Sequence, residues 1–575
     1  MPSEKRPLRS EAWFRLINNA GFEHRTHLKA RGALPEMFEG RPVIGIANSG
    51  SDLVPCNAHL SGIAEWVAKG VLEAGGYPLI FPTMSIGDSI VRPSGMLFRN
   101  LMSMELEATL RANPLDGVVL LTGCDNTAPA YMMGAASVML PTVVVHGGAM
   151  ISGRFGNRTV GSGTDIFKMH ADYRAGRMSK DDFLDAEYGM SRSNGHCNTM
   201  GTATTMGCLA EALGLSLPGT AAIPAVDSRR LSSSQLAGRR IVEMVREDLT
   251  ITKVVDRRAI ENAIRVNAAL GGSTNAILHI TALAGRLGID LSLADFEANS
   301  AGIPLLANIA PNGAYLVEEF FAAGGLPALM AEMGDRLHLD ALTVTGRTLG
   351  EDIASARNGN PEVIASFDAP VKPQNALKIL RGNLAPRGAI IKPSAASPHL
   401  MKHTGPAVVF ETVEDLDARI DDPNLPVDEN SVLVLKGIGP RGYPGMPELG
   451  NIRLPAKLLE RGITDMVRIS DGRMSGTAYG TVVLHVTPES SIGGPLALVR
   501  DGDLITLDVD AGTLDLNVAP EELERRKGEP GPIPAAARRG YERLFIEHVL
   551  QADQGLDFDF LVGGSDTSTP LRRPF

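Results

Sequence analysis

Cysteine is scarce in this chain: Cys56, Cys124, Cys197 and Cys208 are the only four among 575 residues. Four scattered thiols cannot staple a chain of this size, so a disulfide framework is excluded as the source of its fold. Positive charge is also short. The formal charge is −11, and phosphate backbones need a basic surface, so nucleic acid is excluded as a partner. No window reaches the ~18 consecutive apolar residues of a membrane span, which argues against a membrane partner. The opening stretch "MPSEKRPLRSEAWF" is charged and lacks the apolar centre of an export signal, so the expected location is the cytoplasm. No internal repeat and no low-complexity tract occurs.

What remains is ordinary for a large, loop-rich enzyme: 44% hydrophobic residues, 21% charged and 62 glycines. The length exceeds what one core supports, so at least two domains are expected. The first part alternates short apolar runs with amphipathic stretches, as α/β proteins do. Candidate strands are "VIGIAN" (43–48), "YPLIFPT" (77–83), "GVVLLTG" (117–123) and "TVVVHGG" (142–148). Within 58–74, Leu60, Ile63, Ala64, Val67, Val71 and Leu72 follow the helical spacing, and Gly75-Gly76 ends the pattern. From about 345 to 375 the periodicity weakens and the chain reads as a linker. Beyond it come "GAIIKP", "GPAVVFET", "SVLVLKG", "TVVLHVTPE", "DLITLDVD" and "TLDLNV". Closely spaced strands with Gly/Pro/Asp turns predict a barrel or sandwich. An amphipathic helix over roughly 535–552 closes the chain. The expected division is an α/β domain with a parallel sheet over 1–360 and a β-barrel-like domain over 361–575.

Three cysteines stand near predicted helix starts. Cys56 precedes the 58–74 helix with Asn57 as a candidate cap. Cys124 follows a strand with Thr127 as a candidate cap and a helix starting near Pro129. Cys197 lies in "NGHCNTMGTATTMG" ahead of another helical pattern. A helix N-terminus lowers a thiol's pKa, and three such thiolates suit a soft metal or an iron–sulfur cluster. Their intervals match no compact Cys-x-x-Cys signature, so spacing alone favours reading them as small buried hydrophobes. Cys208, among Ala and Leu, reads as core. Around them lie Asp88 and Arg92 after the 77–83 strand, Asp125 beside Cys124, Glu448 after the rigid "GPRGYPGMPE" loop, and Ser475 and Thr477 in "SDGRMSGTAYG". That last loop looks like a phosphate loop but lacks the Walker lysine.

Seven blocks in order, "PCNAHL", "TGCDNTAPA", "GHCNTMGTATTM", "LGGSTNAILHI", "HTGPAVVF", "GPRGYPGMPE" and "SDGRMSG", resemble the dihydroxy-acid / 6-phosphogluconate dehydratase family over nearly the full length. "RPSGMLFRNL" and "LFIEHVLQADQGLDFDFL" look like its sugar-acid branch, typified by L-arabinonate and D-xylonate dehydratases. The resemblance implies a cluster on Cys56, Cys124 and Cys197, usually [2Fe–2S] in that branch and [4Fe–4S] elsewhere. It also implies a Mg²⁺ ion with Asp125 and Glu448 among its ligands, and Ser475 as the group that removes the substrate's C2 proton. The product is a 2-keto-3-deoxy acid. The family fold is an α/β domain followed by a β-barrel-like one, assembled as dimers or tetramers.

Two positions depart from the family. Its usual text after the second cysteine is Cys-Asp-Lys-Thr, with the lysine carbamylated as an anionic Mg²⁺ ligand; here Asn126 stands instead. A glutamate that also binds Mg²⁺ is matched by the shorter Asp88. Three outcomes are open. Mg²⁺ stays on Asp88, Asp125, Glu448 and waters, with Asn126 as a doubtful neutral ligand. The metal is lost or replaced. Or the chain is a non-catalytic sugar-acid-binding relative, against which the retained cysteines and Ser475 weigh. The alternative enzyme is a dihydroxy-acid dehydratase of branched-chain amino-acid synthesis. Arg92, Thr477 and His548 are the candidates for binding a hydroxyl-rich substrate, His548 equally a group that packs the last helix.

Overall fold

The structure, a computed structural model, describes residues 7–527 and 536–564. Four apolar runs become parallel strands: β1 (Val43–Asn48), β2 (Tyr77–Pro82), β3 (Gly117–Thr122) and β4 (Thr142–His146), in the spatial order β2-β1-β3-β4. β3 and β4 are buried at every residue, which is why they read as unbroken apolar runs rather than as alternation. Helix α1 (Leu60–Glu73) buries Leu60, Ile63, Ala64, Val67 and Val71, whereas Leu72 is exposed. Further helices α2 (Met96–Ala112), α3 (Thr127–Ala136), α4 (Thr202–Ala212), α5 (Ser228–Glu247), α6 (Arg257–Leu270) and α7 (Asn275–Arg286) cover the sheet and extend the same core. α1 and α5 lie so close that a Cβ on Gly70 would sit 1.9 Å from the Gln235 carbonyl oxygen.

The second part is an eight-stranded sheet of β5 (Lys378–Leu380), β6 (Gly388–Ile391), β7 (Lys402–Phe410), β8 (Val432–Leu435), β9 (Arg468–Ser470), β10 (Val482–Thr487), β11 (Leu504–Asp508) and β12 (Thr513–Leu516). Its order is β12-β11-β7-β8-β9-β10-β6-β5. The edges meet: Arg381, just past β5, donates from its N–H to the Gly512 carbonyl at 2.9 Å and accepts from the Leu514 N–H at 2.9 Å. The sheet therefore rolls up almost completely, as the strand spacing predicts. β5 and β9 have three residues each, too short for a periodicity to register.

Segment 345–375 is not a free linker. Thr348 and Glu351 form a capping box on the helix Leu349–Ile353, and Val363 and Ile364 are buried in the first core. Isolated buried pairs leave no periodic trace. The closing helix is shorter than expected, Gly540–His548, and position 535 lies outside the described residues. Its Phe545, with Phe558, packs on Met96, Leu97 and Leu278. Nearby, Arg286 and Asp557, neither with any exposed side chain, pair at 2.5 Å. Cys208 is core, as expected. No helix among the described residues is long and apolar enough to cross a membrane.

One buried charge opposes folding. Lys392, after β6, is 1% exposed, and its Nζ has no partner. Burial, with Lys372 nearby, pushes its ammonium down to about 7. The unfolded chain binds this proton between about pH 7 and pH 10, and the folded one does not, so stability rises with pH through that window. Lys392→Met is expected to raise Tm by about 2–4 °C near neutral pH, with the gain vanishing towards pH 10; thermal unfolding across that range is the check.

Candidate active site

The sequence stretches flagged above leave the C-terminal ends of the parallel strands, where such sheets collect ligands. Cys56 sits in a single 3-10 turn, Pro55–Asn57, and α1 begins only at Leu60. Asn57 is no cap: its Nδ2 donates to Ser49 Oγ and Ser85 Oγ, at 3.1 Å each. That ties the Cys56 turn to the loops leaving β1 and β2. Cys124 follows β3, and α3 starts at Thr127 rather than Pro129. Thr127 Oγ1 accepts from the Cys124 N–H at 3.2 Å, so it braces the cysteine loop instead of the helix end. The Cys56 and Cys124 loops touch through glycine. A Cβ on Gly123 would lie 2.7 Å from Asn57 Oδ1 and 3.0 Å from the Cys56 carbonyl oxygen. Gly87 is equally constrained, because its Cβ would lie 2.6 Å from Cys124 Sγ. Cys197 lies five residues ahead of α4, in a loop held by Asn198, whose Oδ1 accepts from Ser162 N–H and Oγ.

The three thiols share an electrostatic neighbourhood. Burial raises all three, Cys56 to about 12 and Cys197 to about 11, with Cys124 well above its usual value. After burial, Cys56 is raised by Cys197 and Asp125, Cys124 by Asp125, Cys56 and Asp88, and Cys197 by Asp125 and Glu448. The expectation that helix ends would lower these pKa values fails here, since burial and adjacent carboxylates outweigh any helix terminus. None of the three is in a disulfide. Such thiols ionise when a cation supplies the missing charge.

Beside them, one carboxylate oxygen each from Asp88, Asp125 and Glu448 lies within 4.8 Å of the others. Arg473, 1% exposed, stands among them and joins the two halves of the chain. It donates from Nη1 to Glu448 Oε1 at 2.7 Å and from Nη2 to Asp88 Oδ2 at 3.3 Å and Ser94 Oγ at 2.8 Å. Its Nε holds the Met446 carbonyl at 2.7 Å. Burial raises Asp88, but Arg473, the Gly95 N–H at 2.5 Å and Asn126 together bring it below the usual range. Asp125 is pushed up to about 8 by burial and by the charges of Glu448 and Asp88, against Arg473. Burial also raises Glu448, Arg473 opposing and Asp88 adding. One guanidinium cannot neutralise three carboxylates, and the proton retained by Asp125 is the charge a divalent cation replaces.

Asn126 is fully buried. It occupies the helix-cap position but makes no cap bond. Its Nδ2 donates to Asp88 Oδ2 at 2.7 Å, and its Oδ1 has no protein partner. Ser475 Oγ lies 3.0 Å from Thr477 Oγ1 and also bonds to Glu448. Glu448 further accepts from Asn275 Nδ2 at 3.0 Å. Arg92 is exposed on the loop that carries Asp88. His548 bonds to Asp559 at 3.0 Å and meets Phe560 edge-on, so its described contacts lie in the closing segment. Arg473, Ser94 and Asn275 were not singled out in the sequence. Arg473 and Asn275 stand inside quoted blocks, "SDGRMSG" and "LGGSTNAILHI", and Ser94 inside "RPSGM".

Three thiols beside three carboxylates form a donor set divided by hardness: sulfur for iron–sulfur chemistry, oxygen for a hard divalent ion. The unpartnered Asn126 Oδ1 adds one more oxygen, so the residues fit both groups. The chain belongs to the dihydroxy-acid/6-phosphogluconate dehydratase family. Residues 41–352 match its N-terminal part and residues 362–556 its C-terminal part. Members are hydro-lyases that generally depend on iron–sulfur and Mg²⁺. An L-arabonate dehydratase of Azospirillum brasilense is 52% identical over 99% of both chains. An L-arabinonate dehydratase of Rhizobium leguminosarum bv. trifolii is 52% identical over 97% of both. A D-xylonate dehydratase of Caulobacter vibrioides is 39% identical over 94% of this chain and 92% of its own.

Replacing Arg473 by Met leaves Asp88 and Glu448, whose side chains are only 20% exposed, without their guanidinium partner. The expected cost is about 3–5 kcal/mol, read from urea unfolding of the metal-free protein. An unchanged midpoint would show that the guanidinium carries no such burden.

Proposed function

We propose that the protein dehydrates a sugar acid, an aldonate such as L-arabinonate or D-xylonate, to its 2-keto-3-deoxy acid. The observation that carries this reading is the meeting of thiols and carboxylates from the first half with a serine hydroxyl and Glu448 from the second. The sugar-acid relatives support the substrate class. In this reading residues 1–360 carry the cluster-binding domain and 361–575 supply Glu448 and Ser475. Cys56, Cys124 and Cys197 hold a [2Fe–2S] cluster, with [4Fe–4S] as the other nuclearity. Asp88, Asp125 and Glu448 hold Mg²⁺, with Asn126 Oδ1 as a neutral further ligand. The assembly is a cytoplasmic homodimer or homotetramer.

When bound, these groups supply the Lewis acidity that a hydroxide leaving group and a developing enolate need. The chain's residues do the rest. Ser475 Oγ takes the C2 proton, and the bond from Thr477 Oγ1 favours the oxygen in its charged form. Arg473 adds fixed positive charge to a pocket otherwise rich in carboxylates and holds Glu448 against Asp88, so the base and the acid-lined wall keep their distance. With the proton gone from C2 and hydroxide from C3, the resulting enol tautomerises to the keto acid, and the net loss is one water. Thr477, beside Ser475, offers the substrate a second hydroxyl, and Arg92 stands exposed on the loop that carries Asp88.

Three measurements test this. Anaerobically purified protein is expected to contain iron and acid-labile sulfide and to release keto acid from pentonates faster than from 2,3-dihydroxyisovalerate; absence of iron and sulfide ends the cluster reading. Ser475→Ala should lower kcat by about 10²–10⁴-fold with iron content intact. Asn126→Ala should weaken Mn²⁺ binding, followed by electron paramagnetic resonance, by roughly tenfold; unchanged binding removes Asn126 from the ligand set.

A further inference from the structure

Behind the cysteine loops lies a second polar cluster that the reaction does not use. His146, at the end of β4, and His196, beside Cys197, are 2% and 1% exposed, and their rings are 4.8 Å apart. His59, three residues after Cys56, and the fully buried Arg230 of α5 belong to the same group. His146 and His196 both feel the charges of His59 and Arg230, and His59 that of Arg230. Three of the four carry a buried nitrogen without a protein partner, His59 Nδ1, His196 Nε2 and Arg230 Nε, while His146 also bonds to the Ala203 backbone. Three such atoms in one cluster are unusual, because buried polar groups are nearly always paired.

The other ring nitrogens are occupied, and their partners are the loops of the three cysteines. His59 Nε2 donates to the Gly147 carbonyl at 3.0 Å. The Gly147 N–H donates to the Thr122 carbonyl at 2.6 Å, two residues before Cys124, and His146 Nδ1 lies 3.1 Å from Thr122 Oγ1. His196 Nδ1 donates to the Cys197 carbonyl at 2.9 Å, while its backbone pairs with Gly148 and Met150. Arg230 Nη2 holds the Ile223 carbonyl. A carbonyl only accepts, so Nδ1 of His196 and Nε2 of His59 carry the hydrogens. Their opposite nitrogens, His196 Nε2 and His59 Nδ1, are then bare acceptors. The Arg230 Nε–H is a donor.

We propose that His59, His146 and His196 are positioning residues that set the loops of Cys56, Cys124 and Cys197. The proposal rests on the reading that these cysteines act together. It also explains why a histidine stands three residues after one cysteine and another immediately before a second. The network fixes backbone, not protonation. Neutral rings serve it, and the buried site keeps both His146 and His196 below their usual range, burial being the largest cause in each.

The experiment compares wild type with His196→Phe, which removes the donor to the Cys197 carbonyl, with His196→Asn, which keeps one, and with His146→Phe. In the metal-free protein, iodoacetamide labelling of Cys197 and Cys56 is followed by mass spectrometry, with buried Cys208 as the folding control. Labelling of Cys197 in His196→Phe is expected to be about tenfold faster than in wild type, with Cys208 still protected and His196→Asn close to wild type, and the reconstituted cluster of His196→Phe to be lost about tenfold faster. Folded His196→Phe and His146→Phe with wild-type labelling rates and an unchanged cluster spectrum overturn the proposal. Should His146→Phe not fold, His59→Asn, at a partly exposed position, gives the same readout. If wild-type protein binds no iron and sulfide, the cluster reading falls, while the labelling arm still decides whether the histidines set the loops.

Discussion

The constraint on which the site depends is a mismatch of charge. Asp88, Asp125 and Glu448 converge from both halves of the chain, and Arg473 is the guanidinium bonded among them. Buried like charges at that distance cannot all ionise, so the fold must either keep a proton on Asp125 or recruit a cation. Arg473 supplies part of the answer and makes the two halves meet in one geometry, since its nitrogens bond to Asp88 and Ser94 on one side and to Met446 and Glu448 on the other. In the proposed reading, the remaining negative charge is what a divalent ion neutralises. It also raises the neighbouring thiols, so added positive charge would favour their ionised forms.

Much of this was legible in the sequence. β3 and β4 announced themselves because strands buried on both faces are continuous apolar runs, and six strands of the second part showed through their Gly/Pro/Asp turns. The three-residue β5 and β9, and the buried pair Val363 and Ile364, gave no periodic signal. The candidates Asp88, Asp125 and Glu448 do come together, and Thr477 lies beside Ser475. Arg473 escaped because a buried arginine in a glycine-rich loop looks the same on paper as a solvated one. Asn57 and Thr127 looked like helix caps, and the structure spends Asn57 on loop-to-loop bonds and Thr127 on the Cys124 loop just ahead of its helix. Local propensity names a cap only when nothing more distant needs the group.

Asn126 unites these themes. An amide bonded to Asp88 through nitrogen keeps its oxygen free, and burial makes that oxygen's partner a matter of energetic consequence. A lysine ammonium at the same position would add positive charge among Asp88 and Arg473, and a carbamate would reverse its sign. The amide is neutral. The carboxylate set and Arg473 then govern the charge of the pocket, with no contribution from this residue.

The closing segment has a bearing on how the protein is made. Arg286, wholly enclosed in the first half, finds its counter-ion in Asp557, and buried Arg99 donates to the carbonyl of Gly555. Both basic groups precede those partners by well over two hundred positions, so a nascent chain has synthesised its α/β layer long before either partner leaves the ribosome. These two contacts of the first half therefore form only after residues 555–557 have emerged, although Arg286 meets Glu107 at 3.6 Å within the first half.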